Sequence, residues 1–323
     1  MDFIHNSTAK DEDILNLFIQ NMTCEVFDFS PINGAVFITI FILSIIGNVL
    51  LLCILFICEK HNLFTYIFII NLACSDLIFT ASVPFWAVYH LHYWVFGDFL
   101  CKFIIWMHFT GLYSSIFLLM AMTVDRFCTV VLNNWPNDNQ RKKRYSIGAC
   151  VVAWLISIGP SVYDASKMEL SDDYYCEVYR IDEVGYYFQV ALLILIPTVI
   201  IILCNCAIIY TILRAAHRTR HKALSIVCCI VVAYIICWGP YNIVLFVQST
   251  NCEEMQRMNI VYSICRMLAF SHCWINPFLF MLTQKIRNHL LYILRYRVAR
   301  TNSERGSGQA YIQNASESRS SRL

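Results

Sequence analysis

Two charged residues, Asp125 and Arg126, close a long apolar stretch of this sequence. Residues 103–124 contain no aspartate, glutamate, lysine or arginine. About 20 apolar residues in a helix cross the roughly 30 Å hydrocarbon core of a membrane, and this stretch has that length. Charged side chains at the end of such a span are costly to bury unless they are paired. The acid–base pair is therefore a candidate functional position.

Asp76 is an isolated acid within another apolar stretch. A carboxylate in the middle of a membrane is expensive to bury without a partner, so it marks a second candidate functional position. The sequence contains no nucleophile–base arrangement, metal-ligand spacing or phosphate-binding loop that indicates an enzyme.

The composition indicates an all-α membrane protein that holds these residues in a bundle of helices. Of 323 residues, 58% are hydrophobic and 14% are charged, against about 25% charged in a typical soluble domain. The apolar residues form blocks of membrane-spanning length, and most of the sixteen cysteines lie inside them, where cysteine behaves as a small hydrophobe. Seven spans are predicted: 33–58, 66–91, 101–132, 145–164, 186–213, 223–249 and 259–282.

The chain divides into four regions by composition. Residues 1–32 form an acidic extracellular segment with no cleavable signal peptide, so the first span is expected to act as an uncleaved signal-anchor. The seven-transmembrane bundle covers 33–283. Residues 284–300 mix apolar and basic side chains, which predicts a short amphipathic helix on the inner leaflet. Residues 301–323 are polar and are expected to be a disordered cytoplasmic tail.

Basic residues set the predicted orientation. They are concentrated in the loops after the first, third and fifth spans and after the seventh, which are therefore assigned to the cytoplasm. The N-terminus is accordingly expected outside a multi-pass plasma-membrane protein. Two glycosylation sequons, at Asn6 and Asn21, fall in that outer segment.

Several motifs occur in order along the spans and together resemble the rhodopsin-like (class A) G protein-coupled receptors. The third span begins at a cysteine and closes in Asp125-Arg126-Phe127. The other spans contribute Asn48, Asn71-Leu72-Ala73-Cys74-Ser75-Asp76, Trp154, Pro197, Cys237-Trp238-Gly239-Pro240 and Asn276-Pro277. The resemblance implies a seven-transmembrane helix bundle. An opsin is excluded because the seventh span has no lysine to hold retinal.

More local strings resemble the chemokine receptor family, and within it the lymphotactin (XC chemokine) receptors. The strings are Ser82-Val83-Pro84-Phe85-Trp86, Trp94-Val95-Phe96-Gly97, Leu112-Tyr113-Ser114-Ser115-Ile116-Phe117, Trp238-Gly239-Pro240-Tyr241-Asn242 and Leu268-Ala269-Phe270-Ser271-His272-Cys273. Arg266, where most chemokine receptors carry a glutamate, points to the same branch. A viral homologue of such a receptor is equally compatible with these strings.

The resemblance implies specific roles for individual residues. It implies two extracellular disulfides, Cys101–Cys176 and Cys24–Cys252. Its sodium pocket maps to Asp76, Ser115 and Asn276. Its activation switch maps to Asp125, Arg126, Trp238, Pro240, Asn276, Pro277, Phe280 and Asn205. The residues expected on the ligand side are Trp86, His108, Tyr113, Glu177, Tyr241 and Arg266.

The function implied is that of a receptor that binds an extracellular chemokine and signals through a heterotrimeric G protein, with an arrestin recruited by serines of the tail. The lipid membrane is the other partner, and no nucleic-acid binding is expected. The alternative is a chemokine-binding decoy with weak or no coupling. Phe280 and Asn205 motivate it, because the family usually has tyrosines at both positions. A transporter would need more buried charge than Asp76 and the Asp125–Arg126 pair supply.

Overall fold

The computed structural model describes residues 30–57, 64–132, 138–171, 175–178, 183–214, 221–244 and 252–281. Predictions for the outer segment, including Asn6, Asn21 and Cys24, lie outside the described residues. Those for the inner-leaflet helix 284–300 and the tail 301–323 lie outside them too, as do the side chains of Glu177 and Cys252.

The described chain is helical apart from one short hairpin. The helices are α1 (Ser30–Ile57), α2 (Phe64–Leu91), α3 (Gly97–Val130), α4 (Asn139–Ser166), α5 (Glu183–Val190, Ala191–Leu195 and Ile196–Arg214), α6 (His221–Val244), α7 (Cys252–Phe270) and α8 (His272–Met281). Strands β1 (Met168–Ser171) and β2 (Tyr175–Val178) pair antiparallel, with Leu170 opposite Cys176. Helices α7 and α8 form the seventh span, with only Ser271 between them.

The helices are apolar on the faces that point away from the core as well as on those that point inward. Ile46, Phe56, Leu155 and Leu203 are all more than half exposed. A helix that is hydrophobic all round belongs in a membrane or a large core. Among the described residues, five helical stretches are long and apolar enough to cross a membrane: Pro31–Ile57, Tyr66–Leu91, Gly97–Val130, Gln140–Ser166 and Tyr187–Thr211.

Helix α4 begins six residues earlier than its predicted span, at Asn139 rather than 145. The side chain of Asp138 caps the helix by accepting a hydrogen bond from the backbone amide of Gln140 at 3.0 Å. Hydropathy finds only the membrane-embedded part of a helix, whereas the cap determines where the helix starts. The first turns of α4 therefore carry the basic residues 141–144.

Helix α3 lies at the centre of the bundle and contacts α2, α4 and α5. Its closest approach is to α2. A Cβ atom on Gly111 would lie 2.6 Å from the backbone nitrogen of Phe79. Ser75 Oγ donates a hydrogen bond to the Gly111 carbonyl at 2.8 Å, which ties the two helices together at the same point. A small residue at 111 is what permits this contact.

The Cys101–Cys176 disulfide joins the start of α3 to strand β2, which confirms the first predicted disulfide. Beside it, Trp94 is almost fully buried and donates its indole N–H to the Gly97 carbonyl at 2.9 Å. Gly97 takes a φ of 78°, which a residue without a Cβ adopts readily. We call this end of the bundle the disulfide end. Arg126 lies 25 residues along α3, about 38 Å away at 1.5 Å per residue, at what we call the Arg126 end.

Two of the predicted prolines lie inside helices. Pro240 lies inside α6 and Pro277 inside α8. In α5, Pro197 follows a π-helical turn over Ala191–Leu195. Proline has no backbone N–H to donate to the residue four positions earlier, so the helix must adjust its hydrogen bonding around it.

Candidate functional site

The three predicted sodium-pocket residues come together in the core. Asp76 is fully buried on α2. Ser115 of α3 donates its hydroxyl to Asp76 Oδ1 at 3.2 Å, and Asn276 of α8 donates its amide to Oδ2 at 3.0 Å. Among the described residues, no lysine or arginine lies within ion-pair distance of Asp76. The carboxyl group is therefore held by neutral donors from two other helices.

A second polar group connects α1 to the same core. Asn48 donates its amide to the Cys273 carbonyl at 2.9 Å, and Ser44 Oγ lies 2.6 Å from Thr80 Oγ1. Thr80 in turn donates to the backbone carbonyl of Asp76, one turn earlier on α2. Asn48, predicted from its motif, thus links α1 with α8 beside the Asp76 site.

His272 connects Asp76 to the predicted switch residue Trp238, a role that sequence reasoning missed. The His272 ring is buried on α8, and its Nε2 lies 4.0 Å from Asp76 Oδ1. Its ring centroid is 5.3 Å from that of Trp238 on α6 and 4.8 Å from that of Phe79 on α2. Family resemblance was the only reason to notice this histidine, because nothing in the sequence pattern shows which residue it faces.

The predicted ligand-side residues form two clusters at the disulfide end. In the first, Trp86 of α2 and His108 of α3 have ring centroids 5.9 Å apart. His108 is 7% exposed, and its Nδ1 lies 3.1 Å from Ser82 Oγ, so it packs within the helix interface. In the second cluster, the hydroxyl oxygens of Tyr241 on α6 and Tyr262 on α7 are 3.3 Å apart.

Arg266 belongs to the second cluster. Its guanidinium carbon lies 5.4 Å from the Tyr262 ring centroid and 5.5 Å from that of Phe37. Its Nε is buried and has no hydrogen-bond partner among the described residues. Among the described residues, the guanidinium group contacts aromatic rings and no carboxylate. It is therefore suited to bind an acidic group of a ligand.

Phe270 joins the two clusters. Its ring lies 4.9 Å from that of Phe37, 5.2 Å from Phe79 and 5.1 Å from His108, measured between centroids. The aromatic contacts therefore run from Phe37 on α1 through Phe270 on α7 to His108 on α3 and to Phe79, which lies about one turn from Asp76 on α2.

Tyr113 makes a polar contact that was not predicted. Its hydroxyl donates to Asp164 Oδ2 of α4 at 2.9 Å, and Gln189 of α5 donates to the same carboxylate oxygen at 2.6 Å. Gln189 also lies 3.0 Å from the Tyr113 hydroxyl. The sequence-based account of buried charge named Asp76 and the Asp125–Arg126 pair, and the structure adds Asp164 and Arg266 as partly buried charged residues. Asp164 could have been noticed by similar reasoning, since it is an acid at the end of an apolar span.

The residues predicted for the switch lie at the Arg126 end and in the core. Asp125 Oδ2 is 3.8 Å from Arg126 Nε, and both side chains are largely buried. Asn205 of α5 donates its amide to the Ile201 carbonyl at 2.8 Å, within its own helix. Phe280 is 3% exposed and packs in the main apolar core. Within the described residues, Asn205 and Phe280 thus occupy packed positions in the two helices where the family has tyrosines.

A sodium ion fits the residues around Asp76. The hard oxygens of the buried carboxylate and of Ser115 are of the kind that such an ion prefers, and the carboxylate has no described cationic partner. Among the described residues, no group of three or more histidines, cysteines, aspartates or glutamates is placed to hold a metal ion. A cation here would therefore depend on the single carboxylate, on hydroxyl and carbonyl oxygens, and on water.

Residues 47–280 match the family described as "7 transmembrane receptor (rhodopsin family)". The chain belongs to this receptor family. The matched residues cover more than half of the chain and include the Asp76 site, the Asp125–Arg126 pair and the Asn276-Pro277 motif.

The receptor also matches Chemokine XC receptor 1 of Homo sapiens. The two are 35% identical over 293 residues, which is 86% of each chain. The receptor is therefore a multi-pass membrane protein of the chemokine-receptor-like branch, a class of non-enzymatic signalling receptors. The sequence-based assignment to this family and fold is confirmed.

Proposed function

We propose that the receptor binds a chemokine at the disulfide end of the bundle and activates a heterotrimeric G protein at the Arg126 end. The observation that carries the proposal is a continuous set of contacts from the predicted ligand residue Tyr241 to the buried Asp76 site. Tyr241 packs against Trp238 with centroids 5.7 Å apart, Trp238 packs against His272, and His272 lies beside Asp76. A ligand that moves Tyr241 therefore acts on the buried polar core through two rings.

The contacts cross a helix that can bend. Trp238 and Tyr241 flank Pro240, where α6 lacks one backbone hydrogen bond. A ligand shifts such a helix only if it binds one conformation better than the other, and a G protein must share that preference. A ligand that contacts Tyr241 in only one of the two conformations of α6 has this preference.

Ligand recognition rests on Arg266 and the aromatic clusters. The Nε of Arg266 is buried, and an acidic group of the ligand would supply the partner that this atom lacks among the described residues. The two clusters contribute the rings of Trp86, which packs against His108, and of Tyr241, which packs against Trp238. An acidic or carbonyl-rich N-terminal segment of a protein ligand has the chemistry to fit.

The orientation that we propose places the N-terminus and the disulfide end outside the cell. Disulfides persist in oxidising compartments, and Cys101–Cys176 lies at this end. The basic residues 141–144 precede the membrane part of α4 at the opposite end, as expected for the cytoplasmic side.

The decisive experiment measures binding of a panel of purified chemokines to cells expressing the receptor, together with G protein activation. At least one chemokine should bind and activate. Arg266→Ala should weaken its binding, whereas Arg257→Ala, on the exposed side of the same helix, should not. If no chemokine binds a receptor that reaches the cell surface, the proposal is wrong.

We further propose that a sodium ion binds at Asp76 and Ser115 and stabilises the inactive bundle. The ion would supply the positive charge that the buried carboxylate lacks among the described residues. Raising sodium from zero should lower agonist affinity in the receptor. Asp76→Asn should remove that sodium effect while leaving antagonist binding measurable. A sodium effect of equal size in the variant would contradict the assignment.

A decoy that captures chemokine with weak coupling is the second candidate. The packed, hydroxyl-free Phe280 and the amide of Asn205, bonded to its own helix, favour it. Rapid chemokine uptake without G protein activation would identify this function. Recruitment of an arrestin by serines of 301–323 would then account for uptake.

A further inference from the structure

Three buried nitrogen atoms without a described partner lie on α2 and α7. They are the Nε of Arg266, the Nε2 of His90 and the indole Nε1 of Trp86, and none of them has a hydrogen-bond partner among the described residues. A buried polar group that makes no hydrogen bond is costly, so such groups are few in a folded protein. Three of them in one region indicate a ligand that accepts hydrogen bonds.

The Phe37 ring of α1 lies between the groups from α2 and α7. Its centroid is 5.5 Å from the guanidinium carbon of Arg266 and 5.5 Å from the centroid of the His90 ring. The charge of Arg266 also acts on the His90 ring, so the two groups are near each other. Trp86 lies four residues before His90 on α2, a spacing that places both side chains on the same face of the helix.

The positive charge of Arg266 is not neutralised within the part of the chain that the structure describes. There, no carboxylate lies within ion-pair distance of its guanidinium group, which is positioned over the rings of Phe37 and Tyr262. Ring faces compensate a cation for lost water only in part. A negatively charged ligand would complete the site.

The arrangement of the donors favours a small spherical anion. A carboxylate or a phosphate is bound best by the parallel N–H groups of a guanidinium fork. Here the unpartnered donors are single N–H groups of three different side chains, with the histidine carrying a hydrogen on Nε2. Such donors can surround a monatomic ion from separate directions.

The position of the site indicates which anion it meets. His90 is the last residue but one of α2, which ends at Leu91, close to Trp94 and the disulfide. The site is therefore at the disulfide end, the end that we place outside the cell. Chloride is the monatomic anion that extracellular fluid supplies in quantity.

We propose that Arg266, His90 and Trp86 bind a chloride ion when the receptor has no agonist. The ion neutralises the guanidinium group and accepts the three hydrogen bonds. An acidic group of a ligand that reaches Arg266 must displace the ion, so chloride opposes agonist binding. This displacement rests on the proposed function, whereas the chloride site itself does not.

The receptor offers matched control variants. Arg266→Gln and Arg257→Gln each remove one positive charge from α7, but Arg257 is exposed. Trp86→Phe removes one N–H group and keeps an aromatic ring, so it is a milder change that serves if Arg266→Gln fails to fold. Its control is Trp274→Phe on α8, where the indole packs against the exposed Phe278.

The experiment uses the full-length receptor in nanodiscs of neutral lipid, titrated from sodium gluconate to sodium chloride. Constant sodium and constant ionic strength keep the Asp76 site and charge screening unchanged. Broadening of the chloride NMR line measures binding directly, and the apparent melting temperature measures its effect on stability.

We expect saturable line broadening and a melting temperature that rises with chloride in the wild-type receptor and in both control variants. Arg266→Gln should lose both effects. Trp86→Phe should need roughly two- to twelvefold more chloride, as expected for one lost hydrogen bond.

Agonist binding gives a further readout. Replacing gluconate by chloride should weaken chemokine affinity about two- to tenfold when chloride is present at about one to nine times its dissociation constant. Arg266→Gln should abolish this dependence. A chloride-dependent melting temperature with a chloride-independent chemokine affinity would support the chloride site and contradict the contact between Arg266 and an acidic group of the ligand.

Two results would overturn the proposal. The first is a wild-type receptor that melts at the same temperature in both salts and shows no saturable line broadening. The second is a chloride effect of equal size in the wild-type receptor, Arg266→Gln and Trp86→Phe, which would show a general action of the salt. Both measurements are made without a chemokine, so they hold even if no chemokine binds the receptor.

Discussion

At the scale of single residues, Gly111 shows how little space separates the two central helices. An added Cβ would meet the backbone of Phe79, which cannot move aside as a flexible side chain can. We predict that Gly111→Ala lowers stability by about 1–3 kcal/mol, the usual cost of overpacking a tight core. Thermal unfolding of the purified receptor should show the loss as a lower apparent melting temperature.

Gly148→Ala is the matched control for Gly111→Ala. It lies inside α4, and nothing stands within 4 Å of an added Cβ. Replacing a helix-interior glycine by alanine in open space is favourable by about 0.5–1 kcal/mol. If Gly111→Ala melts at the wild-type temperature, α2 and α3 do not approach each other at residue 111 as closely as described here.

Asn205 and Phe280 carry the residue-scale argument about signalling strength. When the bundle opens, Arg126 needs new hydrogen-bond partners from α5 and the seventh span, and Phe280 has none to give. We predict that Asn205→Tyr combined with Phe280→Tyr raises agonist-stimulated G protein activation at equal surface expression. One or two hydrogen bonds of about 0.5–1.5 kcal/mol would shift the active population by roughly tenfold.

The control for this double variant is Asn205→Tyr with Phe280 kept. Its gain should be smaller, because position 280 still has no hydroxyl to offer. If the double variant signals no better than wild type, the receptor uses a different active-state network and the decoy interpretation loses its support.

At the scale of elements, the contact among Tyr113, Asp164 and Gln189 fastens α3, α4 and α5 together at the disulfide end. Each of the three residues comes from a different helix, so losing one donor loosens two interfaces. We predict that Tyr113→Phe destabilises the receptor by about 1 kcal/mol or more, measured as a lower apparent melting temperature.

Tyr163→Phe provides the comparison for Tyr113→Phe. Tyr163 precedes Asp164 on the same helix but is 47% exposed, and its ring lies under Lys167. The Tyr163→Phe variant should therefore melt at about the same temperature as the wild-type receptor. In an Asp164→Asn background, Tyr113→Phe should cost less than it does alone, and strict additivity of the two changes would argue against the contact.

At the scale of the whole molecule, charge governs the approach of the ligand. Residues 1–32 contain six acidic residues and one lysine, and this segment is expected to steer a basic protein toward the disulfide end. We predict that neutralising Asp11, Glu12 and Asp13 together slows chemokine association more than it speeds dissociation, because exposed charges act mainly on the on-rate.

Association kinetics at low and high salt test this prediction. The variant should lose much of its association rate at low ionic strength and little at high ionic strength. Salt screens the steering charges of the wild-type and the variant receptor alike. An unchanged association rate at low salt would refute it.

The sequence by itself determined the family, the fold class and the approximate positions of the spans. Span length and the absence of charge follow directly from the thickness of the membrane, so they can be read without a structure. The Asp76, Ser115 and Asn276 trio and the Cys101–Cys176 disulfide were also predicted, because motif positions carry over residue by residue.

Only the tertiary structure decided which buried groups face one another. Gln189 meets Asp164 and Tyr113, and His272 stands between Trp238 and Asp76, because the helices lie at particular rotations about their axes. A helix that is apolar all round has no polar face from which that rotation could be inferred. The partners of each buried side chain are therefore set by packing between helices rather than by the pattern within any one of them.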